Sequence, residues 1–330
     1  MPKKLSKKSE PSEMEIDDKK AAEEEEQEGS GEDVEDEDAS DEEDELMNDN
    51  TEEMEKLTFD FEAFPLDTGD VDGLVNLLTQ IFLRTNVNCE AVAKALVEMS
   101  PLGCVYRPAE EVEDEDSENA IYGVLSMLEL GGEASFQTDI ANLFLNRARK
   151  VSTPDIIKKF EAIFNNKDNK QKNYLIVNER MLHFPDQIAA PAFKSLKDDL
   201  EDMKLLNNIN SILFVSKIRI ANNAQAVATS VQNSGGKKKV GKAEKKRRAA
   251  AALENAHVIY DNAEEEILFN NAGLIKPIYF QYSVENDVES DSKFHRIVKD
   301  GVTYLPYRRV TILSKDDFVK FVELVSQVSA

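Results

Sequence analysis

The 330-residue chain has 65 Asp and Glu against 40 Lys and Arg, which gives a formal net charge of −25 at pH 7. The N-terminal segment 1–56 holds 25 Asp and Glu against 7 Lys, a net charge of −18, so segment 57–330 carries −7 of the total. No stretch approaches the roughly 18 apolar residues of a membrane-spanning helix, and the N-terminal lysines precede no apolar segment, which argues against membrane insertion and a secretory signal.

Residues 1–56 predict a disordered acidic tail, because mutually repelling carboxylates without apolar periodicity cannot offset chain entropy by burial. Two interpretations stay open: a solubilising tail, or a docking arm for a basic partner. Ser12, Ser30 and Ser40 each precede an acidic residue by three positions, the pattern of an acid-directed kinase site. The candidate docking carboxylates are Glu23, Glu24, Glu25, Glu26, Asp36, Glu37, Asp38, Asp41, Glu42, Glu43, Asp44 and Glu45.

Order is predicted to begin at Leu57, where alternating phenylalanines indicate an amphipathic strand that ends at Pro65. Apolar residues at helical spacing then predict a helix capped by Asp70 and a second helix over about 89–99. An acidic loop, EEVEDEDSE, interrupts the next elements. These are predicted as short strand 104–107, strand 121–130, a helix around 140–147 and a helix that starts at Thr153-Pro154.

The segment from Tyr174 to Ile220 is the clearest supersecondary unit in the chain. An apolar run at 174–177 predicts a buried strand, and 212–220 predicts a second one. The residues between them have helical spacing, and Pro191 is tolerable only in a first turn, so the helix should begin near Ala190. A strand, a crossover helix and a strand of this length predict a parallel βαβ unit.

Residues 222–250 predict a flexible basic insertion, because small polar residues lead into KKKVGKAEKKRR, with eight Lys and Arg against one Glu. Two basic clusters of this kind are typical of a nuclear-import signal, read by the acidic groove of an import receptor. A solvated loop and an RNA contact remain the alternatives. The candidate import residues are Lys237, Lys238, Lys239, Lys245, Lys246, Arg247 and Arg248.

The last part of the chain predicts a short acidic-faced helix, two strands and a closing helix. Their predicted ranges are 262–271, 277–284, 303–313 and 316–328. Because strands and helices interleave irregularly, we expect one α/β domain over 57–330, with a mixed β-sheet flanked by helices.

Motifs for catalysis are incomplete. GKKKVGK at 236–242 matches a phosphate-binding loop but has Ala243 in place of the Mg²⁺-binding Ser or Thr, and the pattern of an acyl-CoA pyrophosphate loop fails at Lys237. The three histidines are scattered, and the sequence contains no nucleophile elbow. Cys89 and Cys104 are widely spaced, which favours structural thiols in a reduced intracellular chain. We therefore expect no enzyme, no cofactor and no metal.

Six stretches of the chain are long or distinctive enough to compare with known families. The longest is NERMLHFPDQIAAPAFKSLKDDL at 178–200. The others are FDFEAFPLDTGDVDGLVNLLTQIFL, PLGCVYR, FVSKIRI, NAEEEILF and FQYSVENDVESD. Together they extend over nearly all of residues 57–330, and none of them is a catalytic motif. These stretches resemble the BCCIP family, and the lysine-rich insertion resembles that of fungal members.

The resemblance implies a fold similar to the GNAT acetyltransferases without their acyl-CoA machinery, in a non-enzymatic nuclear protein that shuttles to the cytoplasm. Fungal members resemble chaperones of a basic large-subunit ribosomal protein, which implies a part in ribosome biogenesis. They are also tied to nuclear export of a phosphatidylinositol-phosphate kinase, and through it to actin organisation and vesicle transport. Animal members bind a tumour suppressor and a cyclin-kinase inhibitor, partners that we do not carry over.

Two alternatives to this escort function stay open. One is a divergent GNAT-like enzyme that still binds acyl-CoA. The other is an RNA-binding ribosome assembly factor that acts through the lysine-rich insertion, although the overall acidity argues against direct nucleic-acid binding as the main role.

Overall fold

The fold is described by a computed structural model over residues 60–109, 120–166, 170–182, 184–222, 256–289, 292 and 295–328. The predictions for the acidic tail and for nearly all of the lysine-rich insertion fall outside these residues. Within the described ranges, no helix combines the length and apolar composition needed to cross a membrane. The same residues contain no group of three or more His, Cys, Asp or Glu side chains placed to hold a metal ion.

The described residues form one sheet of nine strands. In chain order these are β1 Phe61–Phe64, β2 Cys104–Pro108, β3 Gly123–Leu130, β4 Lys172–Arg180, β5 Ile209–Ala221, β6 Val258–Tyr260, β7 Ile278–Ser283, β8 Ile297–Lys299 and β9 Val302–Ser314. The strand order is β1-β2-β3-β4-β5-β9-β7, with β6 added to β5 and β8 added to β9. Only the β4–β5 pair is parallel among these nine strands, as expected for a βαβ crossover.

Helices cover both faces of the sheet. The α-helices of the described residues are α1 Val71–Phe82, α2 Cys89–Glu98, α3 Ser135–Val151, α4 Pro154–Phe164, α5 Ala189–Asp202 and α6 Lys315–Val328. Helices α1 to α4 pack on one face, in a core that includes Leu128 and Leu175. Helices α5 and α6 pack on the other face, in a core that includes Met127 and Ile176. Neighbouring strand residues therefore enter opposite cores, as the period of two along a strand requires.

The predicted βαβ unit is confirmed. Strand β4 lies parallel to β5, and α5 begins at Ala189, which places Pro191 in the first turn, where a missing backbone N–H costs no helical hydrogen bond. A mixed sheet covered by helices is also what the irregular order of elements predicted.

Asp70 occupies the N-cap position of α1, as predicted, but its side chain does not cap the helix. Its carboxylate makes no capping bond to that helix and accepts instead from the backbone N–H of Asp67, at 2.8 Å, and from Arg107, at 2.6 Å. Asp67 and Asp70 form a capping box around a short 3₁₀ turn that precedes α1. Asp70 therefore anchors Arg107 of β2 to the start of the first helix.

The acidic-faced helix predicted over 262–271 is also corrected. The chain forms a 3₁₀ helix over Ala263–Leu268, and two of its three glutamates, Glu264 and Glu265, are buried. The prediction failed because carboxylates in a short polar segment normally face solvent. Here they face polar partners on β4, which permits their burial.

Candidate functional site

An opening between β4 and β5 organises the most polar part of the interior. The two strands pair from Lys172 with Ile209 as far as Ile176 with Phe214. Beyond that point β6 pairs with the same edge of β5, since β9 occupies the other edge from Ser211 to Ala221. The C-terminal half of β4 thus diverges from β5, and the chain after β6 enters the opening.

The opening is filled by side chains from β4 and from the 3₁₀ helix. The Arg180 guanidinium donates to both carboxylate oxygens of Glu264, at 2.9 and 2.7 Å, and each of the two side chains is only 4% exposed. The same guanidinium donates to Asn262 Oδ1 at 3.1 Å. The Asn178 amide donates to Glu264 Oε1 at 3.0 Å and to Glu265 Oε1 at 3.2 Å. These contacts supply the hydrogen bonds that buried charges require.

A second set of ion pairs lies beside the first on the diverging end of β5. Lys217 donates to Glu179 of β4, and both side chains are buried. Arg219 pairs with Asp261, whose carboxylate is also 4.0 Å from the Lys217 ammonium. Burial raises the pKa of Glu179, while the Lys217 ammonium acts in the opposite direction. The polar network therefore links β4, β5 and the segment after β6.

Glu265 is a fully buried carboxyl group of the network, and its pKa is raised. Burial, followed by the charge of the neighbouring Glu264, raises its pKa to about 8. The Asn262 amide, which donates to Glu265 Oε1 at 2.8 Å, lowers the pKa in part. At neutral pH the folded protein therefore holds Glu265 mainly as the uncharged acid.

Two grooves lie over this network. The β4 groove, of about 420 Å³, runs between the end of β4 and Asp261, with Met181, Leu182 and Asp186 in its lining. The α6 groove, of about 440 Å³, lies between the start of α5, the 3₁₀ helix and Val325 of α6. Asp186 lines both grooves, which are therefore adjacent on the surface.

Backbone hydrogen bonds and the packing of Phe184 hold the turn that follows β4. Backbone N–H groups of Met181 and Phe184 donate to the carbonyls of Tyr122 and Met181, at 2.8 and 3.1 Å. The buried Phe184 ring stacks on the Tyr106 ring, with their centroids 5.3 Å apart, and packs against the Phe61 ring, with a centroid distance of 4.6 Å. The anchored turn leaves Met181 and Leu182 51% and 48% exposed at the β4 groove.

The exposed charges of the grooves have one sign. Asp186 and Glu266 line them and are exposed, and the Asp186 side chain is 61% accessible. The basic side chains in the linings, Arg180 and Lys217, are buried and paired with carboxylates. A molecule that enters either groove from solvent therefore meets carboxylates and aliphatic side chains.

The candidate import lysines and arginines and the candidate docking carboxylates are all outside the described residues. Of the histidines, His257 lies with Nδ1 3.3 Å from the Tyr304 hydroxyl, while His183 is outside the described ranges. Cys89 and Cys104 are free thiols, and burial raises the pKa of each.

The polar network was not predicted from the sequence, although its residues belong to the stretches that carry the family resemblance. Asn178, Glu179 and Arg180 belong to NERMLHFPDQ, Lys217 belongs to FVSKIRI, and Glu264 belongs to NAEEEILF. A usable signal was present: charged residues directly continue an apolar strand, where they must be buried and paired. What the sequence does not show is that the fold brings these three distant stretches together.

Comparisons with known proteins point to a single family. The family model described as BCCIP matches residues 56–268. A "Protein BCCIP homolog" from Caenorhabditis elegans is 38% identical over 81% of this chain and 78% of its own length. The mouse "BRCA2 and CDKN1A-interacting protein" is 27% identical over 81% of this chain and 79% of its own length. The crystal structure of BCP1 from Saccharomyces cerevisiae aligns with a TM-score of 0.45 at 17% identity, over 86% of this chain and 95% of that one.

The family match extends over more than half of the chain and includes β4, β5 and the 3₁₀ helix that build the polar network. Several relatives bear names that refer to proteins they interact with. From the family match and the nematode relative together, this chain belongs to the BCCIP family.

Proposed function

We propose that this protein is a non-enzymatic escort that binds a newly made, basic large-subunit ribosomal protein and carries it in the nucleus. The observation that carries the proposal is the charge of the chain: −25 in total, of which −18 belongs to the N-terminal segment 1–56. A dense acidic segment attracts a basic client over long distances and masks its positive surface until RNA replaces it.

The family supports an interaction role. Mammalian relatives are named for the proteins they interact with and not for a reaction. The described residues also offer grooves suited to contact with another molecule, with exposed aliphatic and acidic side chains. These observations favour an adaptor, and the proposal extends to export of a phosphatidylinositol-phosphate kinase from the nucleus, with its consequences for actin organisation and vesicle transport.

The location follows from the same proposal. The two basic clusters between Lys237 and Arg248 would be bound by a nuclear import receptor, and the protein would shuttle between nucleus and cytoplasm. A GNAT-like fold remains a prediction of the resemblance. In the β4 and α6 grooves the exposed carboxylates would repel the phosphates of CoA, which argues against acyl-CoA binding in these two grooves.

The proposal is tested by light scattering of a purified basic large-subunit ribosomal protein, mixed with the full chain or with residues 57–330. We expect the full chain to suppress aggregation. Suppression by both proteins would place the carrier function in the folded part, with the tail assisting. Suppression by the full chain alone would assign it to the tail, and failure of both would refute the escort function for this client.

RNA binding is the second candidate, favoured by the eight Lys and Arg of KKKVGKAEKKRR. Reversal of the charges from Lys245 to Arg248 would then abolish RNA retention and leave nuclear import intact. Loss of import with unchanged RNA retention would favour the import signal instead.

A further inference from the structure

We propose that the β4 and α6 grooves form the client-docking surface of the folded part, and that this surface takes a segment in which Lys or Arg neighbours aliphatic side chains. The inference rests on the proposed escort function and adds to it the place and the chemistry of recognition. A free acidic tail attracts any cation, whereas a groove with fixed walls can discriminate between basic segments.

The turn after β4 supplies the aliphatic side chains of the docking surface. Met181 and Leu182 are about half exposed, although the turn that holds them is anchored by backbone hydrogen bonds and by the stacked Phe184. Because these contacts already fix the backbone on either side of the two side chains, a partner that covers them has less backbone to order. They therefore favour a partner with aliphatic side chains of its own.

The docking surface presents negative charge because the basic side chains of the network are paired with carboxylates inside the protein. Arg180 and Lys217 are neutralised inside the protein by Glu264 and Glu179, so they offer no free cation to an acidic partner. Asp186, whose carboxylate is 4.0 Å from the Arg180 guanidinium, and Glu266 remain exposed on the groove linings. Charge complementarity selects a basic partner and disfavours one that carries phosphates or carboxylates.

The two grooves share Asp186, so one continuous segment can contact both. Its basic side chains would pair with Asp186 and Glu266, and its aliphatic side chains would pack against Met181 and Leu182. In this arrangement the acidic tail accelerates encounter, and the grooves select for apolar content next to positive charge.

The experiment uses the full chain and two fluorescent peptides of equal charge, one rich in lysine and leucine and one in which serine replaces leucine. Binding is measured by fluorescence anisotropy at physiological salt. We expect the wild-type protein to prefer the lysine-leucine peptide, because the tail responds to charge alone. Two double variants remove the two parts of the surface: Asp186→Lys with Glu266→Lys, and Met181→Ser with Leu182→Ser.

Each double variant should bind the lysine-leucine peptide about tenfold more weakly than the wild type. The matched charge control is Glu98→Lys with Glu133→Lys, two exposed carboxylates on α2 and on the loop after β3. The matched apolar control is Val151→Ser with Val298→Ser, whose side chains are 51% and 58% exposed. Both controls should bind as the wild type does, and thermal unfolding verifies that all variants are folded.

Hydrogen exchange of the full chain locates the contact independently of mutation. We expect the lysine-leucine peptide to protect backbone amides at 181–187 and 263–270. Equal binding by wild type and both groove variants, or protection confined to residues 1–56, would overturn the docking surface. If the wild type suppresses client aggregation while the groove variants do so equally well, the escort function stands and this surface is wrong. If the wild type itself fails, the escort function falls, and the docking inference falls with it.

Discussion

Glu265 shows how a single buried carboxyl group couples the network to proton concentration. The folded state holds it with a pKa of about 8, mainly through burial, against an ordinary value of 4.5. Between these two pH values the unfolded chain has lost the proton and the folded protein still binds it. The free energy of unfolding contributed by this group therefore falls as pH rises from about 4.5 to about 8, and it levels off above that range.

Glu265→Gln removes this pH dependence. The amide does not titrate, and its oxygen can still accept the hydrogen bonds from Asn178 and Asn262. We expect the variant to be about as stable as the wild type near pH 5 and more stable near pH 8, by on the order of a few kcal/mol. Urea unfolding at both pH values measures the difference.

The matched control for this change is Glu133→Gln, because Glu133 is exposed and lies away from the network. Its effect on stability should be small at both pH values. The same stability difference between Glu265→Gln and wild type at pH 5 and at pH 8 would show that Glu265 ionises normally in the folded protein.

At the scale of elements, the Arg180–Glu264 pair joins β4 to the 3₁₀ helix that fills the opening. Arg180→Ala leaves a buried carboxylate without its cation, so we expect a loss of about 3–5 kcal/mol in the free energy of unfolding. Replacement of both partners, as Arg180→Met with Glu264→Leu, should cost less, because no unpaired charge remains. Chemical denaturation of the three proteins measures these differences.

Arg149→Ala provides the contrast. Arg149 pairs with Glu161 at 2.9 Å, but their side chains are 52% and 37% exposed, so its removal should cost only about 0–1 kcal/mol. A cost for Arg180→Ala as small as that for Arg149→Ala would mean that water reaches Glu264. It would contradict the burial of the Arg180–Glu264 pair between β4 and β5.

The elements also show what a sequence can and cannot reveal. Apolar runs predicted β4 and β5, because both strands are buried between the two cores, and helical spacing predicted α5, because that helix presents one apolar face to a core. The 3₁₀ helix over Ala263–Leu268 was misread because the reason for its burial lies far away in the sequence, on Arg180 of β4. Strands β6 and β8 have only three residues each, too few for a periodic pattern, and they exist because β5 and β9 offer edges.

The candidate site, like the fold, could be predicted from the sequence only in part. Composition identifies the acidic tail and the basic clusters, since both are runs of neighbouring residues. The grooves are assembled from the end of β4, the start of α5, the 3₁₀ helix and α6, so no local sequence pattern predicts them. The exposure of the Met181 side chain could not be predicted from the local sequence either, because it depends on the packing of Phe184 against Tyr106.

At the scale of the whole molecule, the uneven charge predicts how association depends on salt. Association with a basic ribosomal protein should slow steeply as ionic strength rises, because the Debye length shrinks from about 30 Å at 0.01 M to about 10 Å at 0.1 M. A full-length variant with the twelve candidate carboxylates between Glu23 and Glu45 replaced by Gln or Asn should lose most of this dependence. Stopped-flow fluorescence measures the rates.

A control variant keeps the tail intact and neutralises two exposed carboxylates of the folded part, Glu98 and Glu133. It should retain the salt dependence of the wild type. An unchanged salt dependence in the neutralised-tail variant would show that the charge which steers the client resides in residues 57–330.

The connection from β5 to β6 begins and ends at one place in the sheet. Strand β6 pairs with the strand the chain has just left, Ile218 opposite Tyr260, and the Ala221 N–H donates to the His257 carbonyl at 3.0 Å. With both ends joined by the sheet, each doubling of the intervening length costs only about 0.6 kcal/mol of closure entropy. Because the two ends of the connection are held side by side, we expect a reporter domain inserted between them to add little closure entropy.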